Sequence, residues 1–377
     1  MPRWHASAAA LRLADDWYAA FAAELDPRIV QLHSRDYRGP HQLADGPVER
    51  VEVVRGGSAA VFGSSTPGGI VILMSRTGSP TLSGSLVSAS GSQGMQRLDG
   101  DIGGPLGESW RFNLGGYWRH DEGVRPPGFP ANRGGQLRAN VTRLTSWGHV
   151  RLFGKYLDER NVWYMGIPFQ NYRNPEPIPG GPDLGSGTTF SRQTLSLSMP
   201  DAYRPGSTAQ RDLNGATTRY GMVQGEMKRE MGDGWSLTLR AKAMQSSNRT
   251  NLMIDVADPM PISGFGPPAP KQIRYVASGE IVSDPARVAA LNGNGLMTVH
   301  GLAFVDQPVR NGIGNVEIAR SLGSHSLTAG VYVSDYTTRL KLLQQGIFLE
   351  VRDNPRMIQV GIKARILASG GNTRGAN

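Results

Sequence analysis

From Val48 to about Thr337 the chain repeatedly alternates apolar and polar residues with a period of two, the pattern of half-buried β-strands. In Val48–Arg55, Val51 and Val53 fall on one face and Arg50, Glu52 and Val54 on the other. Gly56-Gly57 ends that strand. Ser58 can cap a short turn through Phe62, and Gly63 is suited to close it in the left-handed conformation. The turn cluster Ser64–Gly69, with Gly68 and Gly69, then leads into the apolar strand Ile70–Met74. Further along, Trp110, Phe112, Leu114 and Trp118 oppose Arg111, Asn113 and Arg119. The alternation returns in Gln136–Thr142, Trp235–Ala243 and Ser326–Ser334, and less cleanly at Thr81–Ser90, Met95–Leu106, His149–Leu157, Arg219–Met231 and Gly312–Leu322.

The links between these segments sort by length. Gly103–Ser109, Thr145–Gly148, Met231–Gly234 and Gly323–His325 are tight, and they alternate with the long connections Asp121–Gly135, Asn161–Thr217 and Thr250–Asn311. Only the first link of the second class, near Gly91–Gly94, is short. Short turns at one rim and long loops at the other are the habit of up-and-down membrane barrels, which a soluble sandwich or propeller has no reason to copy. No run reaches the eighteen or so apolar residues of a membrane helix, so any crossing is by strands that are apolar on one face only. The polar faces then point into the lumen, and Trp110, Trp118 and Trp235, at strand ends, suit an aromatic girdle.

Composition agrees: 49 Gly and 25 Pro among 377 residues favour turns, and no cysteine is present for disulfides or thiolate metal sites. The formal charge of +9 raises a nucleic-acid partner, but the basic residues are scattered singly and form no patch, so nucleic acid is not expected. His5, His33 and His41 lack metal-site spacing, and Asp15-Asp16 and Asp121-Glu122 read as solvated turn acids. No enzyme, cofactor or metal is expected.

The run ERVEVVRG, then SAAVFG and PGGIVI, resembles the plug (cork) domain of TonB-dependent outer-membrane receptors, with Phe62-Gly63-Ser64 and Gly68-Gly69-Ile70 on the family's pattern and its usual Asn replaced by Ile72 or Leu73. The segment from Gly103 to about Leu157 looks like that family's first barrel hairpins; beyond it only the pattern continues. The resemblance implies a mainly β fold, residues 1–76 being the C-terminal part of a plug with an atypical helical stretch at Leu11–Leu25, and 77–377 the first part of an antiparallel transmembrane barrel.

The resemblance further implies uptake of a scarce large solute, a ferric siderophore, cobalamin or an oligosaccharide, with a TonB energy-coupling complex and outer-membrane lipid as partners. In the family, arginines of the motif pair with barrel glutamates to hold the plug. Arg50 and Arg55, beside Glu52, occupy those positions, with Glu226 or Glu317 as barrel partners, and Gly56, Gly63, Gly68 and Gly69 shape the plug turn. Such guanidinium pairs fix orientation yet break under a pull.

The localisation expected is the cell outer membrane, although the first residues contain no signal peptide. About nine strands are legible where relatives close with about 22, so the chain is expected to be a fragment, inactive alone, whose open sheet would leave unpaired edges. The competing expectation is a soluble β-rich carbohydrate-binding or adhesive module.

Overall fold

The computed structural model describes residues 47–54, 70–201, 204 and 206–362. Nineteen strands follow in order: β1 Val48–Val54, β2 Ile70–Ser75, β3 Ser83–Ser90, β4 Gln96–Pro105, β5 Trp110–Asp121, β6 Asn132–Thr145, β7 Gly148–Asn161, β8 Phe169–Gln170, β9 Glu176–Pro177, β10 Ser196–Pro200, β11 Thr208–Asp212, β12 Ala216–Gly232, β13 Trp235–Pro261, β14 Lys271–Tyr275, β15 Ile281–Val282, β16 Leu296–Leu322, β17 His325–Thr338, β18 Lys341–Glu350 and β19 Met357–Ile362. The chain is mainly β, and its large sheet of thirteen strands is antiparallel throughout, β3 to β7 followed by β12, β13 and β16. β17 and β18 lie end to end along β16, the first on its short-turn half and the second on its long-loop half. The predicted hairpin forms as β1 and β2, with Val54 opposite Ile70. Leu11–Leu25, Arg55, Gly56, Gly63, Gly68 and Gly69 lie outside the described residues.

The wall strands β3–β7, β12, β13, β16 and β17 coincide with the nine alternating segments of the sequence. Their faces are inverted relative to a water-soluble sheet. On β6, Gln136 is 9% exposed while its neighbour Leu137 is 53% exposed. Asp101, Asn113, Asn140, Thr142, Gln224 and Lys242 are likewise buried, and Leu98, Leu114, Leu152, Val223 and Val316 are exposed. Trp110 and Trp118 bracket the outward apolar face of β5. Their eight-residue separation is about 27 Å along a strand, or about 20 Å after the usual barrel tilt, a little less than the apolar band of about 25 Å in membrane barrels.

The tight turns follow from residue type. Asp233 and Gly234 both have positive φ, 48° and 75°, as a two-residue hairpin with the strands' own twist requires. At Gly116 a Cβ would stand 1.8 Å from the carbonyl oxygen of Gln136, so the close approach of β5 to β6 needs glycine there.

Two expectations change. The connection placed at Thr250–Asn311 is shorter, because β13 runs on to Pro261 and β16 begins at Leu296, each strand spanning 27 residues. No glycine interrupts 246–260, and the regular apolar–polar alternation fades there because 246–251 are polar on both faces. Register irregularities follow between Asp255 and Ala257 and between Ala257 and Met260. The ladder also continues past Thr337, as β18.

Above the wall the long connections assemble a cap with an ordinary apolar interior. Phe129 and Ala131 from the first long loop, with Phe190 and Leu213 from the second, pack on Met253, Leu302, Phe304, Ile347 and Leu349. A second cluster joins Ile262, Ile273, Tyr275, Val288, Met297, Ile358 and Val360, and includes the short helix Pro285–Ala289, whose N-terminus is capped by Asp284 through a 2.8 Å bond from the Arg287 amide. β8–β9 and β10–β11 are small hairpins within the second connection.

Candidate functional site: the polar face and its hairpin

The inner face of the wall carries an ion-pair network and the hairpin lies against it. Alternation puts Glu226 of β12, Arg151 and His149 of β7, and Arg240 of β13 on that face. The Glu226 carboxylate accepts from Arg240 Nε at 2.8 Å and Arg151 Nη1 at 3.3 Å, and lies 3.1 Å from His149 Nε2. Glu317 of β16 stands 3.7 Å from Arg240 and is 36% exposed. Toward the long-loop end, Arg119 donates to Glu159 at 2.8 Å and also to Asn161, while Tyr117 donates its hydroxyl to Glu159 at 2.8 Å. These charges are paired by residues one or two strands away, as a dehydrated polar face demands.

The hairpin meets this face at β4–β6. Arg76, just after β2, donates to Asp101 Oδ2 at 3.0 Å, where the Asp101 side chain is 2% exposed. Ser85 donates to the other oxygen of Asp101 at 2.6 Å. Asn140 donates to the Arg76 carbonyl at 2.6 Å and Arg138 to Ser75 Oγ at 3.5 Å. Glu49 on β1 adds its field at Arg151. Sequence reasoning missed Arg76, Asp101 and Asn140. The available signal was an aspartate and an asparagine on the polar face of strands whose opposite face is apolar.

Of the residues singled out beforehand, Arg50 and Glu52 sit on β1, opposite Met74 and Ile72. Glu226 and Glu317 are brought together through Arg240, and Glu226 has its partners within the wall. Arg55 and the four plug glycines lie outside the described residues. Among the described residues no group of three or more histidines and carboxylates is placed to hold a metal ion.

The cap is held by charge as well as by apolar contact. Glu350, with a side chain fully shielded from solvent, accepts from Arg356 Nε at 2.5 Å and Nη2 at 2.8 Å. Arg356 also lies 3.8 Å over the Tyr275 ring and donates to its hydroxyl at 2.8 Å. Burial, followed by the Glu350 charge, pushes the Tyr275 phenol up, and the bond to Glu350 raises the Arg356 guanidinium further. Tyr164 packs edge-on against Phe190, and burial pushes its phenol up to about 12. In an exposed turn, the amides and hydroxyl around Ser186 hold Asp183 below the usual carboxylate range.

No family model matches the chain. A stretch of 75 residues is 32% identical to the ferrioxamine receptor of Yersinia enterocolitica, covering 20% of this chain and 11% of that protein. Among solved structures, the siderophore receptor PiuA from Acinetobacter baumannii aligns at TM-score 0.40 and 12% identity, over 83% of this chain and 54% of that one. The ferric-catecholate import receptor Fiu from E. coli K12 aligns at TM-score 0.43 and 12% identity, over 81% and 57%. The ferripyoverdine receptor of Pseudomonas aeruginosa gives 0.42 and 12%, over 86% and 44%. The chain is thus similar to outer-membrane siderophore receptors, and it spans about half the length of these structures and about a tenth of the curated relative.

Proposed function

We propose that the chain is part of a TonB-dependent outer-membrane receptor for a ferric siderophore, residues 1–76 belonging to its plug and 77–377 to its barrel. The observation that carries this reading is a hairpin seated on the polar face of a sheet whose opposite face is apolar. A soluble module would bury the apolar face. The 75-residue stretch that is 32% identical to a ferrioxamine receptor supports the solute class. The partners are then an inner-membrane complex that pulls on the plug, and outer-membrane lipid around the wall. The protein moves its solute without chemical change.

The hairpin contacts through Arg76, Ser75 and their wall partners are of the kind that orient a plug and can be broken one at a time under load. On this reading Arg50 and Arg55 supply further plug-side cations, with Glu52 beside them, and Gly56, Gly63, Gly68 and Gly69 form the turn. Glu317 is the freer of the two wall carboxylates, since Glu226 already has Arg240, Arg151 and His149.

The test is uptake of iron-55-labelled siderophores by cells in which the gene is deleted or the proton gradient collapsed. Loss of uptake of one ferric siderophore in both conditions is expected. Unchanged uptake of every siderophore, with the protein in the aqueous fraction, would favour the soluble module.

A further inference from the structure

A groove of about 850 Å³ lies at the long-loop end of the wall, and Arg133, Arg160, Arg219 and Arg249 line it together with Asp158 and Asp212. Alternation puts these arginines on the outward face. Arg133 shares its side of β6 with exposed Leu137, Arg160 its side of β7 with exposed Tyr156, and Arg219 its side of β12 with exposed Val223. They therefore cannot serve the lumen.

Their register is costly as it stands. Arg133 and Arg160 are directly opposite on paired strands, and like charges so placed repel. Thr217 and then Arg249 continue the same row across β12 and β13. Arg219 is bonded to Asp158 at 3.0 Å, and Arg160 donates to the Pro130 carbonyl at 2.6 Å. Arg133 has no hydrogen-bond or ion-pair partner among the described residues. The row lies one two-residue step, about 7 Å, beyond Trp118, the depth at which lipid headgroups replace acyl chains.

The opposite rim is different: Arg143, Arg229 and Arg320 there lie over the rings of Trp110, Trp147 and Trp235 at 5.7, 6.0 and 4.9 Å. Those cations have aromatic faces to rest on.

We propose that the groove seats a phosphorylated, acylated lipid of the leaflet on the long-loop side, a phosphate bridging Arg133 and Arg160 while its acyl chains run down over Leu137, Tyr156 and Val223. Guanidiniums bind phosphate oxygens in pairs, and an anion between the two removes their repulsion. A lipid rather than a free anion is favoured because one row alone, in which Trp118 stands beside Gly135 and the mutually bonded Asp158 and Arg219, separates the charged row from exposed Leu137, Tyr156 and Val223. The inference rests on the sheet being a membrane wall.

The test uses the 377-residue chain folded in zwitterionic detergent, with a bisphosphorylated six-chain lipid as probe and native mass spectrometry as readout. Saturable binding is expected, weakened about tenfold or more by Arg133→Gln with Arg160→Gln and by removing the lipid phosphates, and unaffected by Arg143→Gln with Arg229→Gln. Arg133→Gln alone, which breaks no contact, should show the same direction where the double variant does not fold. Equal binding of the dephosphorylated lipid, equal loss in the opposite-rim variant, or full competition by millimolar inorganic phosphate would overturn the lipid seat alone. A chain that stays soluble without detergent would overturn the wall, and the seat with it.

Discussion

The wall and the cap are made by one chain under opposite hydrophobic rules. In the wall Leu137 looks out and Gln136 is enclosed, whereas in the cap Phe190, Leu302 and Leu349 are enclosed, and the polar groups inside with them, such as Glu350 and Ser191, are hydrogen-bonded. On the proposed receptor reading, the difference lies in what surrounds each part. An acyl layer does not penalise exposed leucine but tolerates no unpaired backbone, so the wall consists of uninterrupted ladders. Water penalises exposed leucine and satisfies loops, so the cap can be built from turns, short hairpins and a brief helix. β13 and β16 belong to both regions, since Met253 of the first and Leu302 and Phe304 of the second are enclosed in the cap.

The largest effect should come from the cap. Phe190→Ala leaves a cavity among Phe129, Leu213 and Leu349, and a loss of about 3–5 kcal/mol is expected, measured by urea unfolding followed through cap fluorescence. In the wall the sign of polarity reverses. Val223→Arg, harmless on the surface of a soluble protein, should cost about 2–4 kcal/mol for a chain folded in vesicles, and no measurable change there would break the comparison. In the cap, Glu350→Gln leaves Arg356, 26% exposed, without its counter-ion, and a loss of about 1–3 kcal/mol should appear as faster trypsin cleavage at Arg352 and Arg356.

Smaller effects sharpen it. Asp101→Asn removes the carboxylate that holds Arg76, whose side chain is 46% exposed, so about 1 kcal/mol or less is expected, seen as quicker trypsin cleavage after Arg76 with the wall unchanged. The cap should also be the alkali-sensitive part. The Tyr164 phenol is raised to about 12, so its contribution to packing is complete below the ordinary tyrosine value of about 10 and is lost as pH climbs toward 12. Near-ultraviolet absorbance should show this phenol ionising above free tyrosine, and Tyr164→Phe should abolish the step.

The wall could be read in the sequence because its period is local. Any five residues, such as Gln136–Asn140, reveal both faces, and Asp233-Gly234 marks a turn unaided. The β1–β2 hairpin was legible from its glycines, which stand between an alternating run and a continuously apolar one. The cap was not legible, because Phe129, Phe190, Met253 and Leu349 share no period and meet only after three long connections fold back. The expectation that β13 stops near Thr250 has a local cause: 246–251 are polar on both faces, so the alternation that announces a strand disappears. The Arg76–Asp101 bond escaped because it joins the residue after one strand to a second strand across 25 positions, a distance no local pattern spans.

The register irregularities at Asp255–Ala257 and Ala257–Met260 carry a consequence for how this sequence can change. Along a ladder of strict period two, one inserted residue exchanges the faces of everything beyond it. An insertion in the lower part of β13 would therefore present Lys242 to acyl chains and Ala243 to the polar face. The same insertion near Met260, where the pairing already slips, would be absorbed. Length variation is thus confined to the top of the strand, so the cap can be remodelled freely while the part of β13 within the apolar layer must keep its count of residues.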